Sequence, residues 1–227
     1  MLIYTPNIPL ISIHIPKTAG TSFKKILENW YPSQLYNHYS HRSKPKKVRL
    51  RAYFSKNYRK NICINGHFNN NKGIGIKDYY PEWEELQYIC FVRNPLSQAI
   101  SNYNYIKKRI ETNIRASNTQ EKKLVSSIDY YLNNYQEVLK NYLPFAINLN
   151  NYKQLIEKHF VHLGCVEKFP QSIHYLGKKL NKPIPENLPT SNALSYDISP
   201  SPEVIAAFKE KMTLDYAIWE LAMQLND

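Results

Sequence analysis

Apolar and polar positions along this chain follow two periods, and their alternation predicts strands separated by helices. Short apolar runs rich in β-branched residues indicate strands at 10–15, 62–65, 87–92 and 161–166. After the first strand, apolar residues recur at helical spacing, at Phe23, Ile26, Leu27 and Trp30. Thr21 stands just ahead of them and is predicted to cap this helix. The order of elements predicts an α/β layered fold with a mainly parallel central sheet flanked by helices.

The second half of the chain continues the pattern with longer helices. Asn94 is predicted to cap a helix whose first residue is Pro95. A second long helix is predicted from about Ser127 through Tyr142, and further helices are predicted at 152–160, at 169–180 and from 202 to near 225. Residues 31–60 are polar, basic and rich in Tyr and Pro, and we predict loop with a little helix there.

Composition favours one globular domain over residues 1–227. The chain is 43% hydrophobic and shows no repeat or obvious linker, so it can bury a core without disulfides or metals. No apolar run reaches the ~20 residues of a membrane span, and the start of the chain lacks the regions of a signal peptide. Cys63, Cys90 and Cys165 fit no zinc or redox spacing and are expected to be buried reduced thiols. We therefore expect a soluble protein of the cytoplasm.

Almost all of the net charge of +12 comes from one segment, residues 29–77, which contains no acidic residue. Its eleven basic residues are Arg42, Lys44, Lys46, Lys47, Arg49, Arg51, Lys56, Arg59, Lys60, Lys72 and Lys77. The remaining 19 basic and 18 acidic residues nearly cancel. A local field of this kind attracts a polyanion, either nucleic acid or an acidic polysaccharide, unless the segment is only a solvated basic loop.

The strongest local pattern lies where the first strand turns into the first helix, and it reads His14-Ile-Pro-Lys17-Thr18-Ala19-Gly20-Thr21-Ser22-Phe23. A helix N-terminus presents unpaired N–H groups and the positive end of a dipole, so a loop of small residues there cradles phosphate. The lysine adds a mobile charge, and the three hydroxyl residues add donors. The loop of nucleoside-triphosphate enzymes differs, because it has Lys directly before the Ser or Thr that holds magnesium.

The run Pro-Lys-Thr-Ala-Gly-Thr-Ser resembles the 5′-phosphosulfate loop of the carbohydrate sulfotransferases related to heparan sulfate 2-O-sulfotransferase. The resemblance implies a P-loop-like fold and binding of the sulfonate donor PAPS (3′-phosphoadenosine 5′-phosphosulfate) by Lys17, Thr18, Ala19, Gly20, Thr21 and Ser22. Lys17 would also act in catalysis by neutralising the leaving group. Weaker similarity continues at 163–169, at 191–192 and at 215–216. The animal enzymes carry a membrane anchor and a longer lumenal domain, so we expect a compact relative.

Two further motifs support the resemblance. Arg93-Asn94-Pro95 follows the strand at 87–92, and Ser101 stands eight positions beyond Arg93. In the family, an Arg-x-Pro followed by Ser at this interval binds the 3′-phosphate of PAPS, and the planar fork of arginine suits a phosphate.

Gly66-His67 follows the strand at 62–65, and the family's His at this place is the catalytic base. The resemblance therefore implies that role for His67. His14, His38 and His41 are alternative candidates, and His14 is expected to point along its strand and not into the site.

The implied reaction is transfer of sulfonate from PAPS to a hydroxyl of an acceptor, and the basic segment favours an anionic glycan. No metal is implied, since no carboxylate cluster accompanies the loop. A nucleotide kinase or GTPase would need Gly-Lys-Ser/Thr and a magnesium-binding Asp, and the sequence has neither. A nucleic-acid-binding module would explain the basic, Tyr-bearing residues 36–60 but not the two phosphate-type loops on either side of them.

Overall fold

The computed structural model describes residues 1–39, 61–70, 75–81, 85–112, 119–188 and 199–227. Five strands form one sheet, namely β1 (Leu10–Ile13), β2 (Leu35–His38), β3 (Cys63–Gly66), β4 (Gln87–Val92) and β5 (Phe160–Cys165). Their order across the sheet is β2-β3-β1-β4-β5, and each neighbouring pair is parallel. The predicted α/β fold with a parallel central sheet is confirmed.

The edge strand β2 was not predicted, because it lies within the residues expected to be loop. Its sequence, Leu-Tyr-Asn-His, is too polar to be recognised as a buried strand. In the structure Tyr36 and His38 are buried and Asn37 between them is exposed, as in a strand with one face on the core. β2 pairs along its whole length with β3, from Leu35 opposite Cys63 onward.

Helices cover both faces of the sheet. They are α1 (Gly20–Trp30), α2 (Ile76–Tyr79), α3 (Pro95–Glu111), α4 (Thr119–Leu124), α5 (Ile128–Asn134), α6 (Leu139–Tyr142), α7 (Tyr152–His159), α8 (Phe169–Leu180), α9 (Pro202–Lys211) and α10 (Thr213–Leu225). α1 and α8 pack against one face, and α6, α7 and α10 pack against the other. Neighbouring strand residues alternate between the faces, as Leu10 and Ile11 do. Each fully buried Leu or Ile contributes about 1.5–3 kcal/mol.

The helix expected to run from Ser127 through Tyr142 is interrupted, so that prediction was wrong between α5 and α6. The buried carboxylate of Asp215 accepts hydrogen bonds from the N–H groups of Val138 and Leu139 over 2.8 and 3.2 Å. These two N–H groups are bonded to a side chain from the end of the protein and not to helical carbonyls. The interruption therefore depends on tertiary structure that a local pattern does not contain.

The helix expected from 202 to near 225 is likewise divided at Met212, between α9 and α10. Here the N–H of Leu214 donates to Oε1 of Glu137 over 3.2 Å. Glu137 and Asp215 thus bind each other's backbone segments, and together they fix the α5–α6 connection against the start of α10.

Other local predictions are confirmed. Asn94 caps α3, with its Oδ1 accepting from the N–H of Ser97 over 3.1 Å, and Pro95 is the first helical residue. The three cysteines are buried and reduced, one each in β3, β4 and β5. Within the part of the chain that the structure describes, no helix is both long enough and apolar enough to cross a membrane.

Candidate active site

The carboxyl ends of three adjacent strands bring the predicted motifs to one edge of the sheet. His67 follows β3, the β1–α1 loop (residues 14–19) follows β1, and Arg93 follows β4. Open parallel sheets bind ligands at the carboxyl ends of their strands, at the point where the order of the strands across the sheet reverses its direction. Three motifs far apart in sequence are therefore neighbours in the fold.

Two residues of the β1–α1 loop adopt the left-handed backbone conformation. Lys17 and Ala19 have φ values of 67° and 59°, and this conformation costs a non-glycine residue about 1–2 kcal/mol. The buried Thr18 between them donates its hydroxyl proton to the carbonyl oxygen of Ile15 over 2.8 Å. The Thr18 hydroxyl thus stabilises the loop from within.

Helix α1 begins at Gly20, with Ala19 as its N-cap, so the predicted cap at Thr21 was wrong. No side chain caps the helix, and its first turn contains no acidic residue. The hydrogen bond from the N–H of Phe23 to the carbonyl of Ala19, 3.0 Å long, is the first of the helix. The N–H groups of residues 20–22 lie ahead of it, at the positive end of the helix dipole. This arrangement suits an anion.

Two cationic side chains lie beside the start of α1. Arg93 Nη1 donates to the carbonyl oxygen of Lys17 over 3.4 Å, and Lys17 Nζ lies 4.7 Å from the ring centre of Tyr105. Burial lowers the pKa of Lys17, and the charge of Arg93 lowers it further. Burial also lowers the pKa of Arg93, against the opposing effect of Glu167. An anionic ligand between these two cations would relieve their mutual repulsion.

Ser101 lies on the side of α3 that faces the β1–α1 loop. Three residues before it, Gln98 donates from Nε2 to the carbonyl oxygen of Pro16 over 2.8 Å. Four residues after it, the ring of Tyr105 contacts Lys17. Residues three and four apart share one helical face, so Ser101 belongs to the same side as these two contacts.

The close approach of two strands explains the glycine in the Gly66-His67 pair. A Cβ atom on Gly66 would lie 2.0 Å from the carbonyl oxygen of His38, so glycine permits β2 and β3 to approach here. His67 then places its Nδ1 2.7 Å from the carbonyl oxygen of His14. Because a carbonyl only accepts, Nδ1 carries the proton and the lone pair of the neutral ring is on Nε2. An imidazole in this form can take a proton from a hydroxyl group.

His14 does not point away from the site, so that expectation was wrong. Its ring stacks on the ring of His67, with centroids 4.3 Å apart and planes 27° apart. Its Nε2 also lies close to the start of α1, since a Cβ atom on Gly20 would lie 1.8 Å from it. Burial lowers the pKa of His14 to about 3, and the charges of His67 and Lys24 act in the same direction. An uncharged imidazole is therefore stacked on His67 and lies close to the start of α1.

Sequence analysis missed Tyr39 and Asn65, which connect to this pair of rings. The hydroxyl of Tyr39 lies 2.9 Å from His14 Nδ1 and accepts from Asn65 Nδ2 over 2.8 Å. Asn65 Oδ1 in turn accepts from the Ser12 hydroxyl over 2.9 Å. One signal was available: Ser12 and Asn65 are polar residues inside apolar strand runs, and they stand opposite each other in the sheet.

Of the two remaining candidate histidines, His38 and His41, the structure describes only His38. His38 is buried, and its Nδ1 lies 2.8 Å from the Tyr80 hydroxyl among aromatic rings. These contacts give it a structural role in the core beneath β2. His41 lies outside the described residues, as do Asn192 and all of the basic residues counted in segment 29–77 except Lys77.

Glu167, in the region of weaker similarity at 163–169, supports the turn after β4 that contains Arg93. Glu167 Oε1 accepts from the N–H of Asn94 over 2.9 Å, and Glu167 Oε2 accepts from Trp219 Nε1 over 3.1 Å. Glu167 therefore ties the end of β4 to the end of β5 and to α10.

Known proteins resemble this chain in sequence and in fold. The sequence model of the sulfotransferase family matches residues 1–159, which include the β1–α1 loop, His67 and Arg93. The fold is similar to that of mouse sulfotransferase SULT7A1 complexed with PAP, with a TM-score of 0.53 at 13% identity over 96% of this chain and 90% of that one. It is also similar to a sulfotransferase from Alicyclobacillus acidocaldarius, with a TM-score of 0.53 at 13% identity over 97% of both chains. No curated protein sequence matches the chain. Because the family match covers more than half of its length, this chain belongs to the sulfotransferase family.

Proposed function

We propose that this sulfotransferase takes its sulfonate group from PAPS and transfers it to a hydroxyl of an anionic glycan, with His67 as general base. The observation that carries the proposal is the bond from His67 Nδ1 to the carbonyl of His14, which leaves the lone pair on Nε2. This imidazole follows β3, directly beside the strand that leads into the Lys17 loop and the start of α1.

A donor with phosphate groups at two positions matches the two groups of cationic and N–H donors. Lys17 and the N–H groups of residues 20–22 would bind the 5′-phosphosulfate, and Arg93 with Ser101 would bind the 3′-phosphate. The mouse neighbour was solved with PAP, which is 3′,5′-adenosine diphosphate, the molecule that remains when PAPS has lost its sulfonate. This supports the same donor here.

In the proposed reaction the acceptor oxygen attacks the sulfur in line with the bridging oxygen of the phosphosulfate. A new S–O bond to the acceptor forms as the S–O bond to the 5′-phosphate breaks, and the hydroxyl proton passes to Nε2 of His67. Negative charge grows on the phosphate oxygen that leaves. Lys17 and the N–H groups of residues 20–22 would stabilise that charge.

We infer an anionic acceptor from the place at which the chain enters the basic residues of segment 29–77. Tyr39, the last described residue before residue 40, lies edge-on to the rings of His14 and His67, with centroid distances of 5.7 and 5.0 Å. The chain therefore enters its most basic part beside the proposed base. In this proposal Lys17 and Arg93 balance the negative charge of the donor. The further cations of segment 29–77 therefore favour a second anion, the acceptor.

An acceptor panel with radiolabelled PAPS tests this proposal. The critical pair is an unsulfated uronic-acid polysaccharide and the same polymer with its carboxyl groups converted to primary amides, because the two carry the same hydroxyl groups and differ chiefly in charge. We expect the acidic polymer to be sulfonated with the lower KM. We also expect this KM to rise with salt, since interactions between exposed charges are screened beyond ~8–10 Å. Equal labelling of both polymers with a salt-independent KM would contradict the anionic acceptor and leave the donor assignment standing.

The segment itself is tested by replacing Lys44, Lys46, Lys47, Arg49 and Arg51 together with Gln. We expect the KM for the acidic polymer to rise strongly while the affinity for 3′,5′-adenosine diphosphate changes little. Titration of the unmodified protein with 3′,5′-adenosine diphosphate, ATP and a random oligonucleotide addresses the alternative of a nucleic-acid-binding protein. Tight binding of the oligonucleotide without binding of the adenosine diphosphate would favour that alternative.

A further inference from the structure

His14 has no part in the proposed chemistry, yet it contacts two of its components. Its ring is stacked on His67 with 4.3 Å between centroids. It also covers Gly20, where a Cβ atom would lie within 2.5 Å of three atoms of the His14 ring. The His14 ring is therefore in contact with His67 and close to the start of α1, and a tilt of the His14 ring would change the surface on which His67 stacks.

The orientation of the His14 ring is fixed from a third direction. The Tyr39 hydroxyl accepts a hydrogen bond from Asn65 Nδ2 and keeps its own proton, which it can donate to His14 Nδ1, 2.9 Å away. Asn65 is held by the Ser12 hydroxyl, which donates to Oδ1 over 2.9 Å. With Tyr39 as the donor, the neutral His14 ring accepts at Nδ1 and carries its proton on Nε2. A chain of three hydrogen bonds therefore runs from β1 through β3 to His14.

We propose that His14 is a positioning residue for His67, and that the Ser12–Asn65–Tyr39 chain fixes the ring on which His67 stacks. The inference rests on the proposed function of His67 as base. Misplacement of a reacting group by ~1 Å can cost about 10²-fold in rate, so a tilted base is a slow base. Burial, together with the charges of His67 and Lys24, lowers the pKa of His14 to about 3, and the ring that faces His67 is uncharged. His67 can then gain a proton without meeting a second cation.

A double-mutant cycle tests this role, with radiolabelled PAPS as donor and the unsulfated uronic-acid polysaccharide as acceptor. His14→Asn removes the stacked ring but keeps a side-chain acceptor for Tyr39. We expect kcat to fall about 10–100-fold, while the affinity for 3′,5′-adenosine diphosphate changes little. In a His67→Ala background the same substitution should have almost no further effect, because the base it positions is gone.

Two results of the cycle would overturn the proposal: an unchanged kcat in His14→Asn, or a loss by the same factor with and without His67. The second is what a merely structural residue would give. Full activity of His67→Ala alone would instead refute the proposed base, so the two failures are distinguishable.

A second measurement needs no acceptor and a less disruptive variant. Tyr39→Phe keeps the ring but removes the hydroxyl that orients His14. In enzyme labelled with ¹⁵N at histidine, we expect His14 in the wild type to be protonated at Nε2, and we expect Tyr39→Phe to populate both tautomers. Identical histidine spectra in the two proteins would overturn the hydrogen-bond chain on which the proposal depends.

Discussion

The imidazole Nδ1 of His67 donates a hydrogen bond to the main-chain carbonyl oxygen of His14 over 2.7 Å. The two residues follow neighbouring parallel strands, in which Ile13 stands opposite Gly66. Because the acceptor is a backbone atom, this bond is set by the register of β1 and β3 and does not depend on the side chain at position 14. The sheet itself therefore selects the tautomer of the proposed base.

His67→Ala is expected to lower kcat about 10²–10⁴-fold, the usual contribution of a general base. Binding of 3′,5′-adenosine diphosphate should persist, because the base acts on the acceptor proton and not on the nucleotide. Steady-state kinetics and calorimetry measure the two effects separately. His174→Ala, a histidine substitution on α8, serves as control. Equal rates in both variants would return His67 to a structural role.

Arg93→Ala is expected to weaken binding of 3′,5′-adenosine diphosphate about 10–100-fold, since a hydrogen bond to a charged group contributes about 1.5–3 kcal/mol. The matched control is Arg109→Ala, which removes an arginine near the far end of α3 that pairs with Glu121 over 2.6 Å. Calorimetry on the two variants gives the comparison. Similar affinities would show that Arg93 does not contact the nucleotide.

Gly20→Ala is expected to lower kcat at least about 10-fold, because the new Cβ would collide with His14 and displace it from His67. The loss should occur although alanine favours a helix by about 1 kcal/mol over glycine. Gly177→Ala on α8 is the control, since its nearest new contacts, at 3.3 Å, are only slightly tight and lie away from the site. A fully active Gly20→Ala enzyme would show that the His14 ring can move without consequence.

The sequence was informative wherever a local pattern has a local cause. The Asn94 cap, the Pro95 helix start and the apolar β4 run depend on neighbouring residues, and the structure agrees with them. The β1–α1 loop could be located in sequence, but its left-handed turn at Lys17 and Ala19 moved the helix start to Gly20.

The parts that were missed depend on contacts between distant residues. β2 is too polar to stand out alone and exists because β3 pairs with it. The inward position of His14 requires a glycine six residues later and a tyrosine that follows another strand, β2. The division between α5 and α6 requires Asp215. A pattern along one segment does not contain such partners.

Asp215 provides a test through pH. Burial raises the pKa of this carboxyl from 3.8 to about 6, against the hydrogen bonds from Val138 and Leu139. A carboxyl with a raised folded-state pKa contributes stability that is present below its unfolded value and lost as the pH rises through the folded value. Asp215→Asn cannot ionise and should not show that loss.

We therefore expect the free energy of unfolding of the wild type, relative to Asp215→Asn, to fall by about 2–3 kcal/mol between pH 4 and 6. Glu137 and Lys140, which also influence the pKa of this carboxyl, are present in both proteins, so their own titration enters both curves. Denaturant titrations at several pH values measure it. A difference that stays flat, or that rises over this interval, would contradict the buried state of Asp215.

The most direct test of the account is the rate of sulfonate transfer from radiolabelled PAPS in Lys17→Ala, beside Lys25→Ala. Lys25 is an exposed lysine on α1, so the control loses the same charge nearby in the sequence but outside the site. Lys17 lies at the start of α1, where negative charge would develop on the leaving phosphate. We expect Lys17→Ala to lose at least about 10²-fold in kcat and Lys25→Ala to retain the wild-type rate. A Lys17→Ala enzyme as active as the control would contradict the assignment of this loop as the sulfonate-transfer site.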